Sequence, residues 1–62
     1  MRKTKLLDHR EEKGNEYSFD ERLNQILDEL QKHDNDIVDI KFHSTYGSYI
    51  HYYALIIYED NK

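Results

Sequence analysis

The end of this chain constrains its fold more than any other part. From Asp36 to Tyr46 the order is Ile37, Val38, Asp39, Ile40, Lys41, Phe42, His43, Ser44 and Thr45. Gly47 and Ser48 interrupt it, and a second run from Tyr49 to Tyr58 is almost wholly apolar or aromatic. Two runs rich in β-branched and aromatic side chains around a short glycine-containing break specify a β-hairpin. The second run is apolar on both of its alternating faces, which suits the centre of a sheet. Asp39 and Lys41 suit its neighbour to an edge. A two-residue Gly47-Ser48 turn, with glycine at its first central position, sets a register. Tyr46 then lies opposite Tyr49, Phe42 opposite Tyr53, Ile40 opposite Leu55 and Val38 opposite Ile57. The last three pairs form the predicted core face. The other face carries Ile37, Ile50, Tyr52, Ile56 and Tyr58.

The rest of the chain has to cover that core face. Phe19, Leu23, Ile26, Leu27 and Leu30 recur with a 3.6-residue period, predicting a helix over residues 19–33. Ser18 followed three residues later by Glu21 is a capping box. Asp20 and Glu21 in the first turn and Lys32 and His33 in the last complement the helix dipole. Asn35 suits a left-handed stop. Residues 2–7 read as a short strand. The charged run 8–17 reads as a mobile loop around Gly14-Asn15. The hairpin strands span 36–46 and 49–59. A strand-helix-strand unit prefers a right-handed crossover. With the last strand central, the expected fold is α+β: one β-α-β-β domain over residues 1–62, a three-stranded sheet of order 1-3-2, and one helix on one face.

Three segments of this chain carry a resemblance: Lys5-Leu-Leu-Asp8, Asp36-Ile-Val-Asp-Ile-Lys41 and Tyr53-Ala-Leu-Ile-Ile-Tyr58. Together, and in this order, they resemble the small sporulation-associated proteins of Bacillus and relatives made under a mother-cell sigma factor, with similar short proteins in phages. The resemblance implies a small cytoplasmic bacterial or phage protein of non-enzymatic type. It transfers no catalytic or binding residues.

Composition narrows the function classes. The formal charge is −4, the wrong balance for counterion-driven binding to nucleic acid. Arg2, Lys3 and Lys5 read as edge-protecting charges. There is no cysteine, so disulfides and thiolate metal sites are excluded, and a reducing compartment fits. No apolar run approaches the ~20 residues that span a bilayer, and Leu6-Leu7 is followed at once by charge. The expected location is the cytoplasm.

Chemical sites are sparse. His9, His33, His43 and His51 read as surface or rim residues; the helix holds one histidine, and the register above sends His43 and His51 to opposite faces. Asp8, Glu11, Glu12, Asp34, Asp36, Asp39, Glu59 and Asp60 read as a solvated carboxylate face, without the desolvated pocket that acid–base catalysis uses. No cofactor is expected, and no enzyme. The six tyrosines carry the most functional potential, because tyrosine buries area at interfaces while keeping a polar tip. The expected binding face is therefore Ile37, Ile50, Tyr52, Ile56 and Tyr58. Its expected use is self-association into a homodimer or higher oligomer, in an interaction module acting as inhibitor or adaptor. The alternative is a nucleotide or other small ligand held between subunits.

Overall fold

The computed structural model describes residues 1–61. It contains β1 (Arg2–Glu11), α1 (Phe19–Lys32), β2 (Asn35–Tyr46) and β3 (Ile50–Asp60). The sheet order is β1-β3-β2, with β3 central and antiparallel to both neighbours. The helix lies on one face. This is the expected β-α-β-β arrangement.

The helix forms where its local signals place it. The Glu21 N–H donates to Ser18 Oγ at 3.1 Å, and the Ser18 N–H donates to Glu21 Oε1 at 3.3 Å. The box satisfies two of the amides that a helix N-terminus leaves over. The stop falls one residue earlier than predicted. Asp34, not Asn35, takes the left-handed conformation, with φ of 63°. The Asn35 side chain instead donates to the Leu30 carbonyl at 2.9 Å, satisfying an end-of-helix acceptor.

Leu23, Ile26, Leu27 and Leu30 pack inward as their spacing requires, but onto a different set of sheet residues. The core is Leu7, Leu23, Ala54 and Ile56, with Phe19, Ile37, Ile40 and Tyr58 against it. Ala54 and Ile56 are 0% exposed. Leu55, Ile57 and Val38, expected under the helix, belong to the opposite face.

The cause is a one-residue difference in register. Tyr46 pairs with Ile50 and Phe42 with Ala54, so Gly47, Ser48 and Tyr49 form the connection. Among the described residues positive φ occurs only at Gly14 and Asp34, so Gly47 does not supply the left-handed corner of the expected turn. Side chains alternate with a period of two, so a one-residue slip turns every residue of one strand to the other face. The slip is undone further along. A bulge between Ile37 and Asp39 restores Ile37 opposite Tyr58, the predicted partner. With Val38 as the extra residue, Ile37 and Ile40 both face the helix.

β1 is also longer than expected, because β3 offers a template over its whole length. Pairing continues through Asp8↔Tyr53, His9↔Tyr52, Arg10↔His51 and Glu11↔Ile50. Residues 8–11 are therefore strand, and the loop shrinks to 12–18. His9 is no rim residue: it is 1% exposed, beside Leu7 on the helix side. Arg22 Nη1 lies 3.0 Å from its Nδ1, Glu11 Oε2 lies 3.2 Å from its Nε2, and the Phe19 ring is 5.9 Å away. A guanidinium can only donate. Nδ1 therefore accepts, and Nε2 carries the proton shared with Glu11. A neutral imidazole thus bridges a cation from the helix and an anion from the strand, which satisfies its buried polar atoms.

Ile56→Ala should lower stability by ~2–5 kcal/mol in urea unfolding, because it empties a fully enclosed site. Ile56→Lys should leave an unfolded chain by circular dichroism, since it buries an unpaired ammonium.

Amide exchange should show β1 protected through Glu11, and fast exchange in the loop of residues 12–18. Protection across that loop equal to that of β3 would contradict the assignment.

Candidate interaction face

One helix of 14 residues covers one side of the sheet and leaves the other bare. On the bare side β3 presents His51, Tyr53, Leu55, Ile57 and Glu59 in alternation. From β1 come Arg2, Thr4, Leu6, Asp8 and Arg10, each opposite its β3 partner. From β2 come Asp36, Asp39, Lys41, His43 and Thr45, with the bulged Val38. Leu55 is half-buried with Leu6 opposite it on one side and the Lys41 stem on the other. Leu6 is 62% exposed and Val38 45%. The result is an apolar stripe of Tyr53, Leu55 and Ile57, widened by Leu6 and Val38 and rimmed by charges of both signs.

None of the five residues expected here occupies this face. Ile37, Ile56 and Tyr58 pack beneath the helix. Tyr52 stacks on Phe19, with ring centroids 5.3 Å apart. Ile50 shares their side of the sheet, beyond the start of the helix. The slip that moved them brought Tyr53, Leu55 and Ile57 outward, so an apolar uncovered face survives with a different membership. The signal for it was the double-sided apolarity of β3; which half faced out depended on the turn.

The same slip brings His43 and His51 onto one face, contrary to expectation. They flank Tyr53, with ring centroids 6.0 and 6.1 Å from it. His51 Nδ1 is buried without a hydrogen-bond partner, 3.9 Å from Asp8 Oδ1. No group of three or more metal-ligating side chains that could hold a metal ion forms among the described residues. A cavity of about 330 Å³ is lined by Phe19, Phe42, His43, Ser44, Tyr52 and Tyr53.

Charges close the far end of the sheet. The terminal amine donates to the Asp60 carbonyl at 3.0 Å and pairs with Glu59 Oε1 at 3.2 Å; Arg2 Nε reaches Glu59 Oε2 at 3.4 Å. Hydrogen bonding from that amine, helped by its charge and by Arg2, holds the Glu59 carboxyl below its ordinary value against some desolvation. The hydrogen bond and charge of Asp60, 2.8 Å away, hold the Lys3 ammonium above its ordinary value.

Comparison with protein-family models, with curated proteins and with solved structures finds no match to this chain. Among the described residues no helix is long and apolar enough to cross a membrane.

The lowered Glu59 value sets a direction for pH dependence. Its contribution is complete above the unfolded carboxylate value and is lost as pH falls through the lowered folded value. Glu59→Gln should therefore flatten the acid side of a stability–pH profile while leaving its slope near neutrality unchanged, as read by urea midpoints.

Proposed function

We propose that this protein is a non-enzymatic interaction module that works by presenting the bare sheet face to another polypeptide, first of all a second copy of itself. The observation carrying this reading is the stripe of Tyr53, Leu55 and Ile57 with Leu6 and Val38 beside it. Contiguous apolar surface of this kind usually marks a binding site.

Size supports self-association. The molecule measures 41 by 20 by 11 Å, so its broad face projects about 800 Å². That is about what each partner buries in a standard interface. Charge supports it too. A twofold axis along β3 sets Arg2 opposite the partner's Asp36 and Asp8 opposite the partner's His43. The apolar stripe meets itself on the axis. Twofold dimers are the commonest oligomers, and a self-complementary face is what they require.

The roles of inhibitor or adaptor follow from reading the chain as an interaction module, and a setting in sporulation or in phage biology rests on the resemblance of the three quoted segments. The cytoplasmic location rests on that resemblance and on the absence of cysteine. The alternative, a nucleotide or similar anion held between subunits, draws on Arg10 and Lys41 near the two histidines of this face. A thermal-shift screen with nucleotides discriminates the two, since a bound ligand raises apparent stability by mass action.

Leu55→Lys places a charge in the middle of the stripe without touching the helix-side core. It should lower the assembly mass measured by sedimentation and leave the circular dichroism spectrum unchanged. Unmutated protein that sediments as a monomer at tens of micromolar, roughly where a weak interface already forms, would defeat the self-association reading.

A further inference from the structure

Hydrogen bonding along the sheet shows where its margins are open. The Met1 amine donates to the Asp60 carbonyl, and the Asp60 N–H donates to the Met1 carbonyl at 2.9 Å. In an antiparallel ladder such reciprocal pairs alternate with pairs whose backbone groups point away. Ile56, Ala54, Tyr52 and Ile50 therefore bond toward β1, and Ile57, Leu55, Tyr53 and His51 bond toward β2. On β2, the groups of Asp39, Lys41, His43 and Thr45 turn inward. Those of Ile40, Phe42, Ser44 and Tyr46 turn out to the margin. On β1, Thr4, Leu6, Asp8 and Arg10 turn out.

Two of these outward positions are already occupied. Arg22 Nη1 reaches over the β1 margin and donates to the Asp8 carbonyl at 3.2 Å. On β2 the Ile40 N–H donates to Asp39 Oδ1 at 2.8 Å, next to the bulge. Phe42, Ser44 and Tyr46 lie past both obstacles. Two of their side chains are also largely uncovered: Phe42, which meets only the edge of Phe19, is 62% exposed and Tyr46 76%, while Ser44 is half-buried. Unpaired strand margins of this kind are templates for another strand.

We propose that this stretch pairs antiparallel with the same stretch of a second copy. Ser44 lies against Ser44 of the partner subunit on a twofold axis, and Phe42 lies against Tyr46 of the partner subunit. This surface is independent of the bare sheet face.

The register is selected by what each alternative would meet. Centred on Ser44, the pairing uses the outward groups of all three residues and sets an aromatic pair on each side of the axis. Centred on His43, it would bring Tyr46 against Ile40 of the partner subunit, whose N–H is already taken. Centred on Thr45, it would bring Phe42 against Ser48, in the connection. The helices do not obstruct it. The overlap is confined to residues 42–46, and each helix lies beyond the other copy's hairpin tip.

The test exploits the absence of cysteine. In a hydrogen-bonded antiparallel pair the Cα atoms lie ~5.5 Å apart, within disulfide range. On the Leu55→Lys background, which disables the bare face, Ser44→Cys should oxidise to a covalent dimer at least tenfold faster than Lys41→Cys, which the pairing holds apart from its copy. Ser44→Pro on the same background removes an outward N–H and spares the intramolecular ladder, so it should reduce the sedimenting species to monomer with the fold retained. Equal oxidation rates of the two cysteine variants, or a mass unaffected by Ser44→Pro, would overturn the pairing. Because the bare face is disabled throughout, failure here leaves the open-face reading untouched; that reading fails separately if Leu55→Lys leaves the assembly mass of the otherwise unmutated protein unchanged.

Discussion

The contact of Leu23 with Ala54, Ile56 and Leu7 is the one on which the rest depends. A single helix on a three-stranded sheet has one chance to exclude water, and it does so over the middle of β3. Ala54 keeps the floor low, and Ile56 fills the space between helix and sheet completely. A chain of 62 residues has little stability to spare. Everything else in the structure is arranged around this patch: the bulge that adds Ile37 to it, the capped helix ends that aim the stripe, and the Glu11–His9–Arg22 bridge at its margin.

That bridge converts a conflict into a fixture. His9 is drawn inside because β1 must run alongside β3, and position 9 alternates with Leu7 onto the core side. The ring is covered by Phe19 and bonded at both nitrogens, so its burial costs little. It also ties the helix to β1, the outer strand that the helix approaches less than β2.

Topology and helix could be read from the residues because each depended on local, periodic signals that agreed. The stripe from Phe19 to Leu30, the Ser18–Glu21 box and the double-sided β3 all point the same way. The register could not be read so well. A two-residue and a three-residue connection differ by one position, and both tolerate Gly47, Ser48 and Tyr49. That single position decided whether Tyr52 and Ile56 or Tyr53 and Leu55 faced outward, so the uncovered apolar face has a different membership from the expected one. The bulge at Val38 had no marker, since valine is an ordinary strand residue. β1 beyond Leu7 was hidden by its charges. The alternation of Leu7, His9 and Glu11 was present, but a polar strand is recognisable only once the partner that pairs with it is known.

The Arg22 hydrogen bond to the Asp8 carbonyl has a consequence for growth. In the proposed pairing, strand addition at the β2 margin consumes the same margin in both copies. The outer limits of the joined sheet are then the two β1 strands, where a guanidinium takes the Asp8 carbonyl and the outward groups of Thr4 and Leu6 lie to one side of it. A third copy then has only the outward groups on either side of Asp8 to pair with. A single arginine on the helix thus interrupts the open margin of β1, whereas that of β2 runs unbroken through Phe42, Ser44 and Tyr46.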